Sequence, residues 1–148
     1  FAGSFHGDLS GLQNTRFIGR IYGVDTDALV DSVSNFAELG AHFHLPVRSY
    51  SSGMKARLAF GVSMGIPFDT YLVEEVTSVG DANFRDKSTE VFQDRMKTAG
   101  AIVVSHGLDL VQRICEHAMV LHDGKLHYHT NVGDGIAHHR ALVRASYA

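Results

Sequence analysis

Residues 50–84 read YSSGMKARLAFGVSMGIPFDTYLVEEVTSVGDANF, and the succession of patterns in this stretch decides the fold class. Tyr50-Ser51-Ser52-Gly53 is a small, polar entry to a helix expected from about Met54 to Met64, with Met54, Leu58, Ala59 and Val62 on one face. Thr70-Tyr71-Leu72-Val73 follows as a short apolar strand and ends on two carboxylates, Glu74 and Glu75. A helix feeding an uninterrupted apolar strand that stops at charged residues is the grammar of an α/β sheet. In such sheets ligands gather beyond the carboxyl ends of the strands.

Downstream, the alternation continues. Helix is expected over 86–97, strand over 101–104, helix over 108–114 and strand over 118–121. Asp123-Gly124 is a hairpin turn signal, with Lys125 to His129 returning as an edge strand and a weakly helical tail from Val132. These strands predict a partly parallel sheet covered on both faces. Upstream the pattern is mostly helical. Asp8 or Ser10 is placed to cap a helix running to about Arg20, with Phe17, Ile18 and Ile21 as its apolar face. A second helix is expected over 26–38, packed through Leu29, Val33, Phe36 and Ala37, with Gly40 ending it.

Composition narrows the class. The chain has 148 residues, 45% apolar and 20% charged, which suits an ordinary globular domain with a sizeable core. Its formal net charge of -3 lacks the basic footprint of a nucleic-acid binder. No signal-peptide pattern follows Phe1, and no apolar run reaches the roughly 18 residues a membrane span requires. The single cysteine, Cys115, reads as packing.

Four segments carry candidate chemistry. At the end of the first strand, one of Glu74 and Glu75 has the chemistry to hold magnesium and its neighbour to orient water; a strand running into acidic surface residues is the plainer account. Ile102-Val103-Val104-Ser105-His106-Gly107 puts a histidine at the same kind of strand edge. Ser51, Ser52 and Gly53 stand where a helix N-terminus offers free N–H groups to phosphate, although a serine there is also an ordinary N-cap. Thr77-Ser78-Val79-Gly80-Asp81 directly follows the carboxylates. His127 and His129 share one face of the last strand, with His138 and His139 further on, and a solvated edge strand accounts for them better than zinc.

The ordered set resembles the later two-thirds of an ATP-binding-cassette (ABC) transporter ATPase. More narrowly, the 50–84 stretch is similar to the ATPases that export capsular polysaccharide, O-antigen and teichoic acid, and FAGSFHGDLSGLQNTRFIGRIYG extends the resemblance to the N-terminus. The resemblance implies a partial P-loop NTPase fold of ABC type. Residues 1–66 would hold the Q-loop region and a helical subdomain with the signature motif. Residues 67–148 would hold the Walker B, D-loop and switch-histidine portion, with a C-terminal β-hairpin and tail. Ser51, Ser52 and Gly53 match the signature loop, which in this family meets ATP held by the opposing subunit. Glu74 matches the Walker B position that serves Mg2+, Glu75 the catalytic glutamate, Ser78 to Asp81 the D-loop and His106 the switch histidine.

Departures from the family pattern are equally specific. Glu74 stands where Walker B normally has aspartate, one methylene shorter. No glutamine in FAGSFHG matches the Q-loop, and His6 stands nearby as a candidate contact. No G-x-x-x-x-G-K-[ST] stretch occurs, so the chain is expected to be a piece of a longer protein whose phosphate-gripping loop precedes Phe1, and to be inactive by itself. The resemblance implies ATP and Mg2+ as cofactors, a second nucleotide-binding subunit and a membrane permease as partners, no nucleic acid, and a place on the cytoplasmic face of the bacterial inner membrane. The contrasting expectation is a regulatory or scaffold domain of the same fold that does not hydrolyse ATP. An ABC-like DNA-repair ATPase is more distant, because no coiled-coil insertion is visible.

Overall fold

The computed structural model describes residues 5–74 and 82–146. The chain divides into two compact units. One holds the chain up to Tyr71 and the segment ending at Gly100; the other holds the stretch beginning at Leu72 and the chain from Ala101 onward.

The first unit is helical. Ser10 caps α1 (Gly11–Ile21) through a reciprocal capping box with Gln13. Asp25 caps α2 (Thr26–Ala37), accepting from the N–H groups of Asp27 and Ala28. α3 (Ser52–Gly65) packs across α2, and α4 (Ala82–Arg95) packs on α3. Ile18, Leu29, Val33, Ala37, Leu58 and Val62 are buried in one core. The interhelix seam is tight at Gly61 and Gly65, where an added Cβ would press on Phe36 and Leu29 respectively. Arg57 on α3 lies 4.5 Å over the Phe84 ring of α4, a cation–π contact that holds the two helices together.

Several sequence expectations are corrected here. Only Ile18 of the proposed α1 face is buried; Phe17 and Ile21 are 55% and 62% exposed. The buried face of α1 is instead Gly11, Asn14, Thr15, Ile18 and Gly19. An i, i+4 stripe of small and polar residues carries no hydrophobic signal, so the periodicity pointed to the wrong side. α2 ends before Gly40: Glu38 takes the left-handed conformation with φ 51°, and Gly40, also left-handed, opens a short 3-10 turn over Gly40–His44. α4 starts and ends earlier than its apolar residues indicated.

In the second unit, β1 (Thr70–Glu74) and β2 (Gly100–Val104), whose later residues from Leu72 and from Ala101 belong to the second unit, form a small parallel sheet. Their starts lie side by side, with the Gly100 N–H donating to the Asp69 carbonyl at 2.9 Å. The expectation of a sheet covered on both faces fails at Leu72, Ile102 and Val104, which are 80%, 46% and 64% exposed. An apolar strand shows which side chains favour burial, whereas cover depends on what packs against them. β3 (Ala118–His122) and β4 (Lys125–His129) form an antiparallel hairpin. Both turn residues have positive φ, 47° at Asp123 and 71° at Gly124, as a two-residue hairpin turn requires. α5 (Leu108–Ile114) and α6 (Val132–Ala145) complete the unit, α6 packing on the hairpin. Cys115 directly follows α5 and is half-buried, and that burial pushes its thiol pKa up, in keeping with a packing role. Among the described residues no helix is long and apolar enough to cross a membrane.

Candidate functional site

The segment entering α3 is fixed by contacts far away in sequence. Asn14, on α1 and 1% exposed, accepts the His6 N–H at 2.8 Å and donates to the carbonyls of His6, Leu9 and Ser10. This ties the strand-like segment before α1 to the helix. The same segment then pairs with the residues that precede the loop: Val47 N–H donates to Leu9 and Arg48 N–H to Gly7, both at 2.9 Å. An ion pair between Arg48 and Asp8 lies alongside. Tyr50 is the anchor. Its ring is 5% exposed, and its hydroxyl donates to the His42 carbonyl at 2.7 Å. Burial pushes the phenol pKa up, with a smaller opposing effect from a backbone hydrogen bond at Gly11. Gly11 leaves the room this ring needs, because an added Cβ would stand 2.5 Å from the Tyr50 hydroxyl.

From this anchor the chain turns outward. Ser51 is exposed, has φ -64° and ψ 164°, and caps α3 by accepting the Met54 N–H at 3.2 Å. Among the described residues its hydroxyl donates to no acceptor. The N–H groups of Ser52 and Gly53 lie in the first turn, where no intrahelical acceptor exists. Among the described residues an added Cβ at Gly53 would meet only the Ser51 hydroxyl, at 3.9 Å. The loop therefore combines a hydroxyl, two free amides and unobstructed approach on a helix of 14 residues. These donors suit phosphate oxygens.

The second unit presents a different set. Glu74 is the exposed last residue of β1, and His106 is exposed two residues beyond the end of β2. Because β1 and β2 run in the same direction, both side chains leave the same strand edge. Ser105 accepts the Gly107 N–H at 3.0 Å and so shapes the bend that carries His106. Glu75 and the expected D-loop stretch Ser78 to Asp81, including Asp81, lie outside the described residues. A carboxylate that ends one strand and an imidazole that follows its parallel neighbour are donors of the kind suited to a hydrated magnesium ion and a polar phosphate. His6 is exposed, and its Nδ1 accepts the Asp8 N–H at 3.3 Å, a local turn contact.

Asn14, Gly11 and Tyr50 hold the signature-like loop in place, and periodicity gave no sign of them. The clue was chemical: an asparagine and a glycine on one face of a helix signal a polar staple and a close approach.

No family model matches the chain. The fold is that of ABC ATP-binding subunits. A solved ATP-binding subunit of an ABC transporter superposes with a TM-score of 0.73 over 84% of this chain and 55% of that one, at 18% identity. Sequence likeness is much closer. The chain is 41% identical over 138 residues to the polysialic acid transport ATP-binding protein KpsT of Escherichia coli, covering 91% of this chain and 62% of KpsT. It is 41% identical over 142 residues to the capsule polysaccharide export ATP-binding protein CtrD of Neisseria meningitidis serogroup B, covering 96% of this chain and 66% of CtrD. The chain is homologous to the ATP-binding proteins of polysaccharide-export ABC transporters. It spans slightly under two thirds of the length of these relatives.

Proposed function

We propose that this chain supplies the signature loop and the strand-edge carboxylates of an ATP-hydrolysing subunit that drives export of a cell-surface polysaccharide. The observation that carries the proposal is the outward-facing Ser51-Ser52-Gly53 turn, anchored by Tyr50 and free to donate to phosphate, in a chain 41% identical to two polysaccharide-transport ATP-binding proteins.

In this account Ser51, Ser52 and Gly53 bind the phosphates of ATP held by a second nucleotide-binding subunit. Glu74 serves Mg2+, whose charge offsets that of the phosphates. Glu75 orients the attacking water, and His106 contacts the γ-phosphate side. Asp81 belongs to the segment that crosses between the subunits. The extra methylene of Glu74, compared with the aspartate usual at that position, places its carboxylate further from the backbone. A membrane permease carries the glycan, and the subunit sits on the cytoplasmic face of the bacterial inner membrane through that permease. A capsule-type polysaccharide is favoured over teichoic acid by the higher identity to KpsT and CtrD, 41%, than to the teichoic acids export ATP-binding protein TagH of Bacillus cereus, 33%.

The test is Glu75→Gln in the transporter as encoded in its own cell, with ATP turnover of the purified complex and surface polysaccharide measured together. The amide keeps the shape but loses the basic oxygen. Turnover and surface glycan are expected to fall by about a hundredfold or more, since removing a catalytic base costs roughly 10²–10⁴, while nucleotide-driven pairing of the subunits persists. Near-normal turnover would remove Glu75 from this role. Lost turnover with undiminished surface polysaccharide would remove the export assignment.

A further inference from the structure

Histidines gather where α6 meets the β3–β4 hairpin. The register pairs Ala118 with His129, Val120 with His127 and His122 with Lys125. All of these residues share one face of the hairpin. α6 lies close on that face: an added Cβ at Gly135 would overlap Ala118 and come within 3.6 Å of His129. One turn later His138 meets the imidazoles. Its ring centroid is 5.0 Å from that of His127 and 5.1 Å from that of His129, and His138 Nδ1 and His129 Nε2 are hydrogen-bonded at 3.0 Å.

A hydrogen bond between two imidazoles needs a donor on one ring and a lone pair on the other. The bond survives when the pair is neutral or shares one extra proton. It cannot survive two extra protons, because both facing nitrogens then carry N–H and both rings are cations. Little nearby charge opposes that repulsion. β3 contributes His122, and the turn contributes Asp123, whose carboxylate lies 3.5 Å from His122. β4 contributes Lys125, His127 and His129. α5, which also packs on α6, carries Asp109 and Arg113, and its Gln112 lies near Gly133 at the start of α6. α6 itself carries Asp134, His139, Arg140 and Arg144. Among the described residues no ion pair joins a carboxylate to His127, His129 or His138.

We propose that the His129–His138 pair is an acid-sensitive latch that holds α6 on the hairpin, closed while the pair carries at most one extra proton and opened when it takes the second. Desolvation, and then the neighbouring His127, His129 and His122, lower the His138 pKa. A histidine with a lowered pKa favours the docked state when neutral. That stability is complete above the ordinary histidine range, near 6.5, and is lost as pH falls from there through the lowered value.

Hydrogen exchange of the α6 amides in this chain, corrected for intrinsic rates, tests the latch between about pH 7.5 and pH 5.5. One proton changes an opening equilibrium by at most about tenfold per pH unit, so protection of α6 is expected to fall as the pH drops, by up to about tenfold per pH unit, with α2 unchanged as the control. His138→Gln keeps a hydrogen-bonding side chain but does not titrate, and is expected to flatten the response. Carbon resonances of His138 in the unaltered chain give a second readout that requires no variant: its transition should coincide with loss of α6 protection. Protection that stays constant while His138 titrates would overturn the latch. So would an equal loss of protection in His138→Gln.

Discussion

The Ser51 hydroxyl accepts the Met54 N–H at 3.2 Å, so the first residue of the signature-like turn is also the N-cap of α3. On the proposed function a single oxygen would have two duties, as acceptor to its own helix and as donor to a phosphate. Substitution at this position separates them. Aspartate caps a helix as well as serine does, yet places a carboxylate where phosphate approaches. Ser51→Asp is expected to leave the melting temperature of the chain within a few degrees of its original value and to abolish nucleotide-driven pairing in the whole transporter. Ser51→Ala removes the cap as well and is expected to cost about 1 kcal/mol of stability. Thermal melts paired with nucleotide-dependent sedimentation decide the matter; retained pairing in Ser51→Asp would return Ser51 to a purely structural role.

Gly53 provides a cleaner probe, because nothing in the fold requires a glycine there. It lies in the first turn of α3, and the space for a Cβ is open. Alanine in a helix is favoured over glycine by up to about 1 kcal/mol. Gly53→Ala is therefore expected to preserve or slightly raise stability while weakening nucleotide-driven pairing by about tenfold, since its methyl group stands where the phosphate would meet the amide. Denaturant melts and a nucleotide titration of pairing would show both effects. An unchanged titration would mean that no ligand approaches this turn closely.

Asn14→Leu tests the staple beneath the loop. Leucine matches asparagine roughly in size but leaves the His6 N–H without its acceptor and takes the second donor from the carbonyls of His6, Leu9 and Ser10, which keep backbone donors from Leu9, Val47 and Asn14. A polar group left unsatisfied costs about 1–3 kcal/mol. A loss of about 1–3 kcal/mol is therefore expected in chemical denaturation. Protection of the Val47 and Arg48 amides should fall as well, because their acceptors lie in the stapled segment.

The close approach of α6 to the hairpin predicts a different kind of damage. Gly135→Ala improves helix propensity but drives a methyl group into Ala118. Overpacking of this kind costs about 1–3 kcal/mol, more than the propensity gain. The chain is expected to lose stability, with faster exchange confined to α6. A stabilised variant would show that the hairpin yields easily at this point.

The helical elements were legible where a cap met an apolar repeat, as at Ser10 and Ser51. The Asp123-Gly124 turn fixed the hairpin because both positions need positive φ. What periodicity could not show was burial through small or polar residues: Asn14 and Thr15 are 1% and 0% exposed, while Phe17 beside them lies outside. Nor could strand composition show that Leu72 and Val104 would stay exposed. Of the candidate site, Ser51, Glu74 and His106 were legible as residues that follow or end regular elements. Their supports were not, since Gly11 and Tyr50 meet across about forty residues of chain.

The hairpin has a peculiarity in how its two faces are written. Met119 lies opposite Tyr128 and Leu121 opposite Leu126, and all four are more than half exposed. The face under α6 carries three histidines and a lysine beside Ala118 and Val120. Alternation alone would assign the sides the other way round, oily residues inward and imidazoles outward. Strand order along the chain is thus a poor guardian of this register, and the duty falls to the turn. Lengthening it by one residue would shift one strand past the other and turn its alternate side chains over. The mispaired form would bury leucine where α6 now meets imidazole, and nothing in the pattern of that strand would resist the exchange.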